Sequence, residues 1–240
     1  MTLLITGGSG TLGTELKKQF SWALTPTHEQ LDITDRMSVE RFLYEHSVDT
    51  IIHAAAITSI RKCDENRKMA YDTNYLATKV IVDLIQQIPQ SKMVYISTAC
   101  VFDGHHGMYS ESDFPYPENY YGLTKLLAEH TVKRLWEYLI IRTNFVGRKK
   151  WPYPKAFTDR FGTYLFADQV AYAIKELLKD EKVGTIHVVG DRKISMFELA
   201  KITTPKIEPM TLDEYSGPRL TIDMSLDTER WKKYQITATI

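Results

Sequence analysis

The chain has 240 residues, a length that suits one α/β domain or one domain with a small appendage. Its composition, with 43% hydrophobic and 25% charged residues, is typical of a soluble globular protein. Lys and Arg number 30 and so do Asp and Glu, so the formal net charge of zero gives no indication of a nucleic acid or a membrane surface as partner.

The first half of the chain alternates short apolar runs with amphipathic stretches. Hydrophobic periodicity predicts strands at 3–5, 22–24, 50–52, 93–96 and 138–141, and helices at 12–20, 35–44, 71–88 and 123–136. Nearly continuous apolar strands that alternate with helices are typical of a parallel sheet covered on both faces. We therefore predict an α/β fold with a Rossmann-type doubly wound parallel sheet.

The second half is less regular. Residues 147–166 hold several aromatics and two prolines, which predicts an irregular but ordered segment, and a helix at 168–178 and a strand at 185–189 follow. Ser195 and Glu198 have the spacing of a capping box at the start of a short helix. We predict a dinucleotide-binding core over 1–146 and a small C-terminal substrate-binding region over 147–240, from which 168–190 returns a helix and a strand to the core.

The cysteine pattern indicates neither a disulfide framework nor a zinc site. Cys63 and Cys100 are far apart, and the adjacent His105 and His106 have no matching acidic or cysteine ligands nearby in sequence. The chain opens without a cationic and apolar leader, and no apolar run approaches the roughly 20 residues that cross a bilayer. We expect a cytoplasmic protein without a metal, and a homodimer is left open.

A glycine-rich turn joins the first predicted strand to the first helix. It can be read as Gly7-x-x-Gly10-x-x-Gly13 or as Gly8-x-Gly10-x-x-Gly13. Either spacing gives a tight turn with bare backbone, and the helix N-terminus offers free N–H groups to phosphates. A glycine-rich surface turn is the alternative, but the strand–turn–helix context favours a dinucleotide.

The end of the second predicted strand bears on the choice of cofactor. An acidic residue there would bind the ribose 2′-hydroxyl of NAD and repel the 2′-phosphate of NADP. Residues 24–28 contain no acid, and Asp32 comes only later. The pattern therefore favours NADP(H) over NAD(H), or the use of both, although this strand end carries no arginine either.

Tyr121 and Lys125 lie four residues apart in a predicted helix, so both side chains share one face. An ammonium group beside a phenol favours the phenolate, and such a phenol can transfer a proton near neutral pH. The alternative is an ordinary helix tyrosine next to a solvated lysine. The glycine turn at the start of the chain favours the catalytic interpretation.

Motifs spread along nearly the whole chain resemble the extended short-chain dehydrogenase/reductase family, most closely its dTDP-4-dehydrorhamnose reductase branch. They are Thr6-Gly7-x-x-Gly10-x-x-Gly13, Leu31-Asp32-Ile33-Thr34-Asp35, His53-Ala54-Ala55-Ala56, Asn74, Ile96-Ser97-Thr98, Val101-Phe102-Asp103-Gly104, Tyr121-x-x-x-Lys125, Arg142-Thr143-Asn144-Phe145-Val146-Gly147 and Ser225-Leu226-Asp227-Thr228.

The resemblance implies a role for each site residue. Thr98 would orient the substrate oxygen, Tyr121 would donate the proton to it, and Lys125 would hydrogen-bond the nicotinamide ribose and lower the pKa of the tyrosine. The residues that it implies for cofactor binding are Tyr121 and Lys125 together with Gly7, Gly10, Thr11, Leu12, Gly13, Asp32, Ile33, Ala54, Ala55, Ala56 and Asn74.

One departure from the family pattern narrows the chemistry. Ser97-Thr98 is followed by Ala99-Cys100, where the resemblance leads us to expect an acidic residue, and where related dehydratases carry an Asp-Glu pair. We therefore predict NAD(P)H-dependent reduction of the 4-keto group of a nucleotide-diphospho-4-keto-6-deoxy sugar rather than dehydration. A nucleotide-sugar 4-epimerase and a non-catalytic, dinucleotide-binding regulatory subunit of the methionine adenosyltransferase type are the alternatives.

Two groups in the C-terminal region are candidates for contact with the substrate. Arg148, Lys149 and Lys150 could meet a diphosphate or form a solvated basic loop. Trp151, Tyr153 and Phe157 could stack on a base or a sugar, although packing within the small region is the simpler interpretation.

Overall fold

The computed structural model describes residues 2–237, so the last three residues of the predicted C-terminal region lie outside the described part. The helices are α1 Thr11–Gln19, α2 Arg36–Glu45, α3 Ile60–Glu65, α4 Arg67–Tyr71, α5 Ala77–Ile85, α6 Tyr120–Val132, α7 Ala167–Lys179 and α8 Met196–Thr203. The strands are β1 Leu3–Thr6, β2 Thr50–His53, β3 Lys92–Ile96, β4 Glu137–Thr143, β5 Phe145–Val146, β6 Lys155–Phe157, β7 Phe161–Gly162, β8 Leu165–Phe166, β9 Gly184–Val188, β10 Ile194–Ser195, β11 Glu208–Met210 and β12 Asp223–Met224.

Five of these strands form one parallel sheet in the order β1-β2-β3-β4-β9. Beyond β1, Leu24 forms a single parallel bridge with Leu4. The chain therefore runs outward from β1 to this bridge and returns to the other side of β1 with β2. The predicted parallel, doubly wound α/β architecture is confirmed.

Helices cover both faces of the sheet because side chains alternate along each strand. Leu3 and Ile5 pack with α1 and α7 on one face, while Leu4 packs with α2 and α5 on the other. Strands that are apolar in both directions are buried on both sides. Because the strands are parallel, their carboxyl ends lie at one edge of the sheet. Several predicted site residues directly follow β1, β2 and β3 and therefore lie at this edge.

Three predicted elements differ from the structure. The strand predicted at 22–24 was wrong, because only Leu24 pairs and Pro26 follows it. The helix predicted at 71–88 begins earlier as α4 and passes through a π-helical turn at Asp72–Leu76 before α5. The helix predicted at 123–136 begins at Tyr120 instead, because the side chain of Asn119 caps it by accepting a hydrogen bond from Gly122 N at 2.9 Å.

The C-terminal part contributes to the core and also forms small sheets of its own. Helix α7 packs against α1, and β9 pairs with β4. The remaining strands form the three-stranded sheet β10-β7-β12 and the two-stranded sheets β11-β6 and β5-β8. Ser195 caps α8 through the predicted capping box with Glu198. Within residues 2–237, no helix is long and apolar enough to span a bilayer.

Candidate active site

The glycine turn presents bare backbone at the carboxyl edge of the sheet. Gly7 has a φ of +73°, and a Cβ on it would lie 2.7 Å from Ala55 N. A Cβ on Gly13 would lie 2.1 Å from the carbonyl oxygen of Gly7. Neither position has room for a side chain. The turn is thereby packed directly against the segment that follows β2.

Helix α1 starts in this turn with its N–H groups uncapped by any side chain. Gly10 is the N-cap, and the first turn holds no acidic residue. Thr11 is exposed at the helix start, whereas Leu12 is buried beneath it in the core. Free N–H groups and the positive end of a helix dipole suit a phosphate group. The residues at this edge therefore fit the pyrophosphate of a dinucleotide.

The alanines after β2 line the edge beside the turn, and a buried histidine fixes their position. Ala54, Ala55 and Ala56 are half-buried. His53 Nδ1 lies 2.7 Å from Thr6 Oγ1, and its Nε2 lies 3.1 Å from Thr78 Oγ1. Burial, with a smaller contribution from the charge of Lys125, lowers the pKa of His53 to about 3. His53 is therefore a neutral structural link between β1, β2 and α5.

Asn74 joins the segment after β2 to α6. Its Oδ1 accepts from Ile57 N at 2.8 Å, and its Nδ2 donates to Ile57 O at 3.0 Å and to Thr124 Oγ1 at 3.1 Å. Both amide hydrogens are thus bonded to protein atoms. Asn74 therefore has no amide hydrogen left to donate to a cofactor. Any contribution of Asn74 to cofactor binding would be indirect, through the position of the segments that it joins.

Asp32 and Ile33 lie in a loop before α2. The Asp32 carboxylate accepts from Thr34 N at 2.9 Å and Thr34 Oγ1 at 2.7 Å, and these hydrogen bonds hold its pKa below its usual value. Ile33 is buried against the core. The cofactor binding implied for both residues stays a prediction.

Thr98, Tyr121 and Lys125 come together where β3 meets α6. A Cβ on Gly122 would lie 2.0 Å from the carbonyl oxygen of Cys100, so the start of α6 packs closely on the turn after Thr98. The Thr98 Oγ1 atom accepts from Cys100 N at 3.1 Å and lies near the side chain of Tyr121. Lys125 extends its Nζ to 4.1 Å from the centroid of the Tyr95 ring. All three predicted catalytic side chains are buried.

Burial governs the electrostatics of this group. It raises the pKa of Tyr121, with Cys100 adding to the rise and the nearby Thr98 hydroxyl opposing it. Burial also lowers the pKa of Lys125 to about 7, although the negative charge of Glu129 acts to raise it. The depression of the tyrosine pKa expected from the lysine charge is therefore wrong for this structure, because desolvation is the larger effect.

A buried ion pair lies behind the lysine and was missed from the sequence. Glu129 and Arg142 are 0% and 2% exposed, and their Oε2 and Nη2 atoms are 2.7 Å apart. Ser97 Oγ donates to Glu129 Oε1 at 2.5 Å. The available signal was Glu129 one helical turn beyond Lys125, together with an arginine directly after the apolar run 138–141.

The basic segment after β5 is partly tied to the protein. Arg148 Nε lies 2.9 Å from Asp168 Oδ2, and its Nη1 donates to Thr237 O at 2.8 Å. This pairing favours a structural role for Arg148 over contact with a diphosphate. Trp151 is buried, whereas Tyr153 is exposed. No cluster of three or more His, Cys, Asp or Glu side chains suited to a metal occurs in the part of the chain that the structure describes.

This combination of fold and side chains is that of the extended short-chain dehydrogenases/reductases. The chain belongs to the family described as the RmlD substrate binding domain, whose model matches residues 1–218.

Individual relatives agree with this membership. The chain is 33% identical to a probable low-salt glycan biosynthesis reductase from Haloferax volcanii over 71% of its own length and 63% of that relative's length. It is 26% identical to a dTDP-4-keto-6-deoxy-D-glucose reductase from Streptomyces niveus over 98% of this chain and 91% of that one. A methionine adenosyltransferase 2 subunit beta from Bos taurus is 24% identical over 95% of this chain and 80% of that one.

A solved structure extends the similarity to three dimensions. The dTDP-4-dehydrorhamnose reductase from Bacillus anthracis, in complex with NADP, superposes with a TM-score of 0.85 at 26% identity. The match covers 94% of this chain and 90% of that one.

Proposed function

We propose that this protein reduces the 4-keto group of a nucleotide-diphospho-4-keto-6-deoxy sugar with a reduced nicotinamide dinucleotide. The observation that carries the proposal is the buried Thr98–Tyr121–Lys125 group beside a glycine turn that has no room for side chains. The similarity to the dTDP-4-keto-6-deoxy-D-glucose reductase of Streptomyces niveus and to the dTDP-4-dehydrorhamnose reductase of Bacillus anthracis supports the substrate class.

The chemistry divides between the cofactor and the side chains. The bound nicotinamide supplies the hydride. The Thr98 hydroxyl positions the sugar carbonyl oxygen, and Tyr121, whose raised pKa keeps it protonated, donates a proton to that oxygen. Lys125 in its ammonium form steadies the resulting phenolate and holds the nicotinamide ribose. Ala99 supplies no carboxylate, so a second proton transfer of the dehydratase kind has no donor there.

Isotope transfer tests this proposal against epimerisation. We expect deuterium on the transferred position of NADPH to appear at C4 of the sugar, with one cofactor oxidised for each keto sugar reduced. An epimerase would interconvert sugars without net cofactor consumption. Tight dinucleotide binding without turnover would favour the regulatory alternative, which the bovine relative keeps open.

The activity should fall as the pH rises, because Lys125 must carry a proton. Its pKa of about 7 places the loss of charge near neutrality, while Tyr121 stays protonated throughout. We expect kcat/KM for NADPH, which reports groups of the free enzyme, to fall about tenfold for each pH unit above 7. A flat profile from pH 6 to 9 would contradict this role for Lys125.

We also propose a preference for NADPH, supported by a lysine beside the glycine turn. A Cβ on Gly8 would lie 3.2 Å from Lys17 Cε and 3.3 Å from Thr25 Cβ. Thr25 directly follows Leu24, the residue that bridges to β1. The ribose of the adenosine half is expected at this strand end, where a cation suits a 2′-phosphate. The side chains of Lys17 and Thr25 therefore both lie beside Gly8, where we expect that phosphate to bind.

Reversing the charge at position 17 should weaken NADPH binding selectively. For Lys17→Glu we expect the Kd for NADPH to rise about tenfold or more, since a close ion pair near the surface becomes a repulsion, while the Kd for NADH changes little. Fluorescence titration of both cofactors measures this. The matched control is Lys18→Glu, because Lys18 pairs with Glu15 on the same helix. Equal losses for both cofactors would contradict the proposal.

A further inference from the structure

The buried ion pair behind the site connects three elements of the core. Glu129 lies on α6, Arg142 on β4, and Ser97 directly after β3 and before Thr98. Arg142 Nε donates to Glu129 Oε1 at 3.0 Å, while the Ser97 hydroxyl donates to the same oxygen. One carboxylate thus ties the strand end that carries Thr98 to the helix that carries Tyr121.

Glu129 also faces the catalytic lysine. Tyr121, Lys125 and Glu129 follow one another at intervals of four residues, so they share one face of α6. The Glu129 charge favours the protonated form of Lys125. The other titratable groups that face Lys125 or its partner are Tyr95 from β3, His53 from β2 and Arg142 from β4, while α5 contributes the uncharged Thr78.

We propose that Glu129 is a positioning residue that holds Lys125 in its ammonium form and fixes the spacing between Thr98 and Tyr121. The role in catalysis that this inference gives to Glu129 rests on the proposed reductase function. Lys125 and Arg142 are both buried; the Glu129 carboxylate pairs directly with Arg142 and lies one turn from Lys125 on α6, where its charge also acts on the lysine. Arg142 Nη1 has no hydrogen-bond partner within residues 2–237, so the guanidinium itself is only partly satisfied.

This arrangement of charges predicts opposite responses of the Lys125 titration to two substitutions. Without the charge of Glu129, the two cations repel each other across a buried site, and Lys125 loses its proton more readily. Without the charge of Arg142, the whole charge of Glu129 acts on Lys125 and holds its proton more tightly. A merely structural ion pair would destabilise the fold in both variants but would not move the lysine titration in opposite directions.

The titration of Lys125 can be measured without turnover. Protein labelled with ¹³C at lysine Cε is titrated by NMR, and the Lys125 signal is assigned with Lys125→Met. We expect Glu129→Gln to lower the pKa of Lys125 by about one unit and Arg142→Gln to raise it by about one unit. The Lys125 pKa of the double variant should lie between those of the two single variants. Glu137→Gln, at the exposed start of β4, is the control and should leave the titration unchanged.

Each result bears on the inference. Circular dichroism first establishes that each variant is folded, and the double variant, which removes both charges of the pair, provides the comparison if a single variant unfolds. An unchanged Lys125 titration in folded Glu129→Gln, or equal Lys125 titrations in Arg142→Gln and in the double variant, would overturn the inference. If the titrations move as expected while the protein reduces no keto sugar, the proposed function fails and the control of Lys125 by Glu129 stands.

Discussion

Tyr121→Phe is expected to lower kcat for keto-sugar reduction by about 1,000-fold, because it removes the hydroxyl that donates the proton. The ring is 8% exposed, and phenylalanine keeps its shape and packing, so the fold should be retained. The Kd for NADPH should stay within about twofold, because the hydroxyl acts on the sugar oxygen rather than on the pyrophosphate. Stopped-flow absorbance and fluorescence titration measure the two quantities separately.

The neighbouring tyrosine provides a matched control. Tyr120 lies on the same helix, is half-buried, and packs beneath the Arg67 guanidinium, whose Cζ is 5.1 Å from the ring centroid. Tyr120→Phe removes a tyrosine hydroxyl from the preceding position of the helix and should leave kcat nearly unchanged. Equal activity of the two variants would exclude Tyr121 as the proton donor.

Gly13→Ala is expected to weaken dinucleotide binding strongly. The added Cβ would lie 2.1 Å from the Gly7 carbonyl oxygen, so the backbone of the turn must shift. Distortion of a packed segment costs up to about 3 kcal/mol, which corresponds to roughly a hundred-fold in the Kd for NADPH. Isothermal titration calorimetry measures this loss, and thermal unfolding reports how much of the strain affects the fold.

Gly8→Ala distinguishes the two ways of reading the glycine motif. Its Cβ would meet first the flexible Lys17 side chain, at 3.2 Å, and the backbone there does not have a positive φ. We expect a far smaller loss of NADPH affinity than for Gly13→Ala. A loss as large at Gly8 as at Gly13 would show that the turn depends on the second glycine as well.

Local signals in the sequence were enough to predict most of the central sheet and the glycine turn. Strands such as β3 are continuous apolar runs, and the period of their side chains determines both the strand and its burial. The glycine turn and the Tyr121–Lys125 spacing are likewise local, since each motif can be recognised from a short stretch of sequence. Such features require no knowledge of which distant segments meet.

The remaining features depend on contacts between distant segments. Lys17 and Thr25 are distant from Gly8 in sequence, and both lie against it only in the folded chain. The pairing of Glu129 with Arg142 joins a helix to a strand, and the burial that lowers the pKa of Lys125 comes from the whole core. Spacing alone suggested that the lysine charge would dominate the tyrosine, whereas desolvation in the folded protein reverses that order.

Oxidation of NADPH by the purified chain with a dTDP-4-keto-6-deoxyhexose is the most direct measurement of reductase function. We expect the absorbance of reduced nicotinamide to fall only when the keto sugar is present, with one NADPH consumed for each 4-hydroxy sugar formed. Tight binding of NADPH without such a fall, across dTDP-, UDP- and GDP-linked keto sugars, would contradict the proposed function.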